Sequence, residues 1–151
     1  MKDWDHLLVD GYNVLMAGPQ TKKWMRQGMD VARDRLSGIL GVLHDYDGIR
    51  LTMVFDGRGP EITLERPRGD LTFSYLYTPT GVTADAIIEQ LVSSAALPDR
   101  ILVATRDNLL RETVHSYGAT VWTPQELFRQ AELAQRRQSE WLQRRGKAFD
   151  S

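Results

Sequence analysis

His6-Leu7-Leu8-Val9-Asp10-Gly11-Tyr12-Asn13 decides how this chain is read. A short apolar run fits a strand buried on both faces, and it stops at an aspartate followed by glycine. The same punctuation returns at Leu51-Thr52-Met53-Val54-Phe55-Asp56-Gly57 and, less sharply, at Ile101-Leu102-Val103-Ala104-Thr105-Arg106-Asp107. Between these strands the apolar positions take helical spacing: Val31, Leu36, Ile39, Leu40 and Leu43 in one segment, and Ile87, Ile88 and Leu91 in another. Alternating strands and helices predict an α/β domain: a mostly parallel central sheet of about five strands, in three α/β/α layers.

Outward from that core, the punctuation sets the remaining elements. The Gly18-Pro19 stretch with Lys22 and Lys23 reads as a loop or short helix. A helix is expected from about Met29 to Tyr46, closed by the Asp47-Gly48 turn. Strands are expected over Leu51–Phe55, Leu71–Tyr77, Ile101–Thr105 and Thr120–Trp122, with 57–70 as loop. Thr83 is placed to cap a helix, and Gly118 to close the one that begins near Asn108. Thr123-Pro124 starts a last helix, expected to run to about Arg145 with frayed residues beyond. The organisation expected is a domain over 1–127 and a basic C-terminal helix over 128–151, packed on it or extending from it.

With 151 residues, 42% apolar and 26% charged, the chain is one globular domain's worth of sequence. It has no cysteine, which excludes disulfides, zinc–thiolate sites and thiol nucleophiles. The charged N-terminus runs straight towards the first strand with no leader pattern, and no apolar run reaches membrane length; both fit the cytoplasm. Net charge is −1, but the cations are grouped: Lys22, Lys23 and Arg26; Arg58, Arg66 and Arg68; and six between Arg129 and Lys147. Acids at the centre with cations around them suit a polyanion gripped by its flanks, although a charge run is as often a solvated face.

In an open sheet the carboxyl ends of parallel strands share one edge, so Asp10, Asp56 and Asp107 are expected to converge. Asp85 joins them from a helix start, and Glu89 shares its helix face four residues on. Carboxylates crowded together repel, and a hard divalent cation, Mg2+ or Mn2+, relieves the repulsion. Each acid has an ordinary alternative: Asp10-Gly11 as a turn, Asn13 or Asp107 as a cap, Asp85 and Glu89 as acids favoured near a helix N-terminus. Four at one edge are harder to explain that way. Other chemistries lack their signatures. His6, His44 and His115 have no ligand spacing; there is no phosphate-binding glycine loop and no Gly-x-Ser-x-Gly elbow. Nor does an aspartate stand two residues beyond Asp10, as a haloacid-type phosphatase requires.

Asp10-Gly11-Tyr12-Asn13, Val54-Phe55-Asp56, Ala84-Asp85-Ala86-Ile87-Ile88-Glu89 and Thr105-Arg106-Asp107, in that order, resemble the NYN domains, and most closely their YacP-like branch, relatives of the PIN nucleases. The resemblance runs from about Leu7 to Leu127. It implies a PIN-like fold and a divalent-metal-dependent ribonuclease hydrolysing RNA phosphodiester bonds, endonucleolytically. The alternative it leaves is an RNA-binding module with weak or lost catalysis. Asp10, Asp85 and Asp107 correspond to the family's metal-binding acids and Asn13 to its polar partner. The second PIN acid, expected on the early helix, has no clear equivalent. Asp34 lies there between Arg33 and Arg35 on what reads as a solvated face, and Asp56 or Glu89 is a candidate replacement. Arg58, Arg106, Lys22, Lys23 and Tyr12 are expected to contact RNA, single-stranded or ribosome-associated; Trp24 or Tyr75 could also stack a base, with core packing the alternative for each aromatic and the favoured one for Tyr75. The C-terminal helix leaves a homodimer open.

Overall fold

The computed structural model describes residues 4–150, with side chains as far as Lys147; Met1–Asp3, at the charged start of the chain, and Ser151 lie outside the described residues. The elements run β1 (His6–Asp10), α1 (Gly11–Leu15), α2 (Pro19–Gln27), α3 (Met29–Asp45), β2 (Arg50–Gly59), β3 (Thr63–Glu65), β4 (Phe73–Pro79), α4 (Ala84–Ser93), β5 (Ile101–Ala104), α5 (Asn108–Ser116), β6 (Thr120–Trp122) and α6 (Pro124–Asp150).

The six strands lie in the order β3-β4-β2-β1-β5-β6, all parallel to their neighbours except β3, which pairs antiparallel with β4. From β1 the chain winds outward to β2 and β4 on one side and to β5 and β6 on the other. The winding reverses between β1 and β5, which opens a crevice beyond their carboxyl ends. Alternation along the strands sorts the core into two layers. Leu7, Val9, Met53 and Phe55 pack against α1, α2, α3 and α6. Leu8, Val54, Leu76 and Val103 face α4 and α5. Continuing the alternation, Asp10 follows Leu8 and Asp56 follows Val54 onto the α4–α5 side.

Of the two readings left open for the polar stretch after Gly18, the structure has the helix, α2, with proline at its favoured first position. It departs from the sequence expectation in three places. A sixth strand, β3, occupies part of the expected 57–70 loop. Its three residues are all exposed at the sheet edge, so no alternating pattern advertises it. β2 runs on past Phe55 to Gly59, with its pairing to β4 interrupted between those residues. There a side chain on Gly57 would put its Cβ 2.2 Å from the Thr78 carbonyl oxygen, so the close approach of β2 to β4 requires glycine. Lastly, α6 continues beyond Arg145 to Asp150. Its first turns bury Leu127, Ala131 and Ala134 in the core.

Candidate active site

Asp10 is the last residue of β1 and is 4% exposed. The chain turns at once into α1, and Gly11 makes that turn feasible: a Cβ there would stand 2.2 Å from the Phe55 ring. Asn13 is therefore inside α1 rather than capping it. Asp56 sits in the irregular part of β2, and its Oδ1 accepts from the Ala84 N–H at 2.8 Å, anchoring the start of α4. Thr83 completes that start by accepting from the Ala86 N–H at 3.1 Å. Asp85 then falls in the first turn of α4. Asp107 caps α5, accepting from the Leu110 N–H at 3.1 Å.

These pieces meet in a cavity of about 220 Å³ lined by Asp10, Tyr12, Asn13, Asp56, Thr83, Ala84, Asp85 and Asp107. It lies at the carboxyl edge of the sheet, where the winding reverses. Asp85 stands between Asp10 and Asp107 within hydrogen-bonding reach of both. Burial pushes the Asp10 carboxyl up to about 7; the charges of Asp85 and Asp56 add to that, and a hydrogen bond from Thr105 opposes it. Burial also raises Asp85, helped by its hydrogen bond with Asp107. Asp107 moves the other way, held down chiefly by the Leu110 N–H. The cluster is a set of carboxylates that cannot all ionise comfortably without a cation. Oxygen-bearing acids are the donor type that a hard divalent ion takes. Among the described residues, however, no group of three or more acidic or imidazole side chains is spaced so as to hold a metal ion.

Thr105, fully buried, ties the site together. Its Oγ1 lies 2.9 Å from Asp10 Oδ2 and 3.1 Å from Asn13 Oδ1, and accepts from the Asp107 N–H at 3.1 Å. Asn13 Oδ1 also accepts from the Arg106 N–H at 2.8 Å. With its oxygen engaged, the Asn13 side chain has a fixed orientation and its Nδ2 donors remain available. The sequence marked Thr105 only as a strand end. A hydroxyl directly after an apolar strand and two residues before an acid was the available signal.

Not every expected residue is here. Glu89 is exposed and outside the cavity lining, because one further helical turn carries it away from the sheet edge. Arg58, Arg106, Lys22 and Lys23 are exposed, and none lines the cavity, whereas Tyr12 does. Trp24 is 7% exposed and packed in the core, so it offers no stacking face; Tyr75 is buried likewise. Asp34 is exposed and accepts from the Tyr75 hydroxyl at 3.3 Å, outside the acidic cavity.

Among the described residues no helix is long and apolar enough to cross a membrane. The profile of the YacP-like NYN domain matches residues 7–150, which extends the likeness through α6 rather than ending near Leu127. The chain is 33% identical over 134 residues to the uncharacterized protein YacP of Bacillus subtilis strain 168, covering 88% of this chain and 78% of that one. Among solved structures, Rae1 (YacP) from Bacillus subtilis superposes with a TM-score of 0.75 at 29% identity, over 97% of this chain and 84% of the other. A point mutant of the same protein gives 0.76 at 29% identity, over 95% and 84%. An acid-lined crevice at the switch point of this sheet, together with these matches, establishes that the chain belongs to the YacP-like NYN domain family, a group of nuclease-like domains.

Proposed function

We propose that this protein is a divalent-metal-dependent ribonuclease that hydrolyses RNA phosphodiester bonds internally, with Mg2+ or Mn2+ held by Asp10, Asp56, Asp85 and Asp107. One observation carries the reading: four carboxylates from four separate parts of the chain line one cavity at the sheet's carboxyl edge. When bound, such an ion supplies an activated water and neutralises charge building on the phosphate. The chain's own residues do the rest. Asp10, buried, and Asp85, half-buried, provide the negative charge that selects a cation. Asp107 remains ionised through its helix-start hydrogen bond. Asp56 offers one oxygen to the cavity while the other fixes α4. Asn13, its carbonyl oxygen committed to the Arg106 N–H, turns its amide hydrogens towards a phosphate oxygen. Arg58, Arg106, Lys22 and Lys23 stand outside the cavity, where they serve flanking phosphates. An RNA-binding module without catalysis is the second reading, and the absence, among the described residues, of acids spaced to hold a metal ion is what favours it.

The test is cleavage of a single-stranded RNA in chelator, magnesium and manganese, by the wild type and by Asp85→Asn. The expected result is metal-dependent cutting by the wild type and at least about a hundredfold loss in the variant, with RNA affinity retained. Tight RNA binding with no cutting in either metal overturns the enzyme reading in favour of the binding module.

A further inference from the structure

Resting on that reading, we propose that Arg33, on α3, is a substrate-binding residue that holds the RNA phosphate neighbouring the one cleaved. The sequence places Arg33 beside Asp34 and Arg35 on an apparently solvated face, but the fold puts it elsewhere. Its guanidinium carbon stands 5.9 Å from the centroid of the Phe55 ring and 5.7 Å from that of Tyr77. The Tyr12 side chain is near enough to help hold its charge. Phe55 in turn packs on Tyr12, ring centroids 4.9 Å apart, and on Tyr77, stacked at 5.8 Å. Tyr12 lines the acidic cavity. The side chain is thus held at the rim, one residue away from the carboxylates.

A second arginine on an aromatic ring shows what a purely structural contact looks like in this fold. Arg68 lies 4.2 Å from the Phe73 centroid, and its charge is paired with Asp45 at 2.7 Å and Asp70 at 3.0 Å. Arg33 has no such partner: among the described residues, no carboxylate stands within ion-pairing distance of it. Glu65 contributes only field, and accepts from the Tyr77 hydroxyl at 3.4 Å. Aromatic faces steady a guanidinium without consuming its donors. A partly exposed, pre-positioned fork of N–H groups with no anion suits a phosphate, which it can grip through two bonds. Arg58 and Arg106 carry the same charge on exposed side chains that, among the described residues, make no ion pair.

The experiment uses a short fluorescent oligouridine. Its binding is followed by anisotropy in EDTA across a potassium chloride titration, and its cutting is followed in manganese. Arg33→Ala should weaken binding about tenfold. It should also lower the slope of log affinity against log salt by about 0.7, the value for one single-strand phosphate contact. In cutting, KM should rise by a similar factor, while affinity for manganese alone stays at the wild-type value and reports an intact fold. Arg33→Lys should keep the salt slope and recover only part of the affinity. Tyr12→Phe, which removes only the steadying hydroxyl, should cost about two- to threefold. If the wild type cuts RNA but Arg33→Ala leaves KM and salt slope unchanged, this inference fails and the metal-site reading survives. If the wild type neither binds nor cuts the RNA, both fall.

Discussion

Replacing Asp10 by asparagine should make the metal-free protein more stable, and by an amount that depends on pH. The carboxyl is buried and pushed up to about 7, first by loss of hydration and then by its acidic neighbours. In an unfolded chain an aspartate titrates near about 3.9. Between those values the folded protein keeps a proton that the unfolded chain has released, so stability falls as pH rises through that window and levels off above it. At about 1.4 kcal/mol per pH unit the interval is worth at most about 4 kcal/mol. The acids share their protons, and a single substitution is expected to recover about half of that. For a chain of this size, 1 kcal/mol shifts Tm by about 2–4 °C. Asp10→Asn should then melt about 4–8 °C above the wild type in EDTA near about pH 8, with the gap closing towards about pH 4. Asparagine keeps an oxygen for the Thr105 hydroxyl, so the hydrogen bond at 2.9 Å need not be lost. Manganese should reverse the order, raising the wild type by mass action and leaving the variant nearly unmoved. The assay is thermal melting by circular dichroism in chelator and in manganese over that pH range. A variant that melts below the wild type at the alkaline end, or a gap indifferent to pH, would refute the argument that this acid is held against its own charge.

Two glycines make a paired prediction. Gly11→Ala should destabilise by about 2 kcal/mol or more, because the new methyl meets the fully buried Phe55 ring. Gly38→Ala, exposed on α3 with nothing within 4 Å, should stabilise by about 0.5–1 kcal/mol; urea titration of both variants checks the contrast. Thr105→Val preserves shape but takes the hydroxyl away from Asp10 and from the Asp107 N–H at once, so we expect a loss of about 1–3 kcal/mol. Manganese affinity measured by calorimetry should fall as well, and an unchanged value would remove Thr105 from the site.

The strand-acid-glycine pattern made Asp10 and Asp56 readable because strand alternation, which sends Leu8 and Val54 to one face, carries the next-but-one residues to the same face. Asp107 posed a choice between cap and site acid; the structure shows it capping α5 through Oδ1 while it also lines the cavity. Glu89 was misleading for a simple reason. Four residues along a helix preserve the face but add a turn of height, and height decides whether a side chain reaches the sheet edge. β3 escaped because an exposed edge strand has no buried side to pattern. Trp24 and Arg33 exchanged expectations for a related reason: which helical face is covered depends on α3 and α6 packing against the sheet, and a local window does not contain that partner.

The bond between Thr105 and Asp10 spans 95 positions of chain. Asp85, Thr105 and Asp107 all follow Asp56 in the chain, so during synthesis the acidic crevice closes only once β5 and the start of α5 have been made. A polypeptide halted between Gly81 and Ala104 already owns β1, α1, α2 and α3, yet it lacks α6 and both the Thr105 hydroxyl and the Asp107 carboxylate that complete the cavity. Under the proposed function, truncated products that stop short of Thr105 are expected to be inactive without any inhibitor or pro-segment.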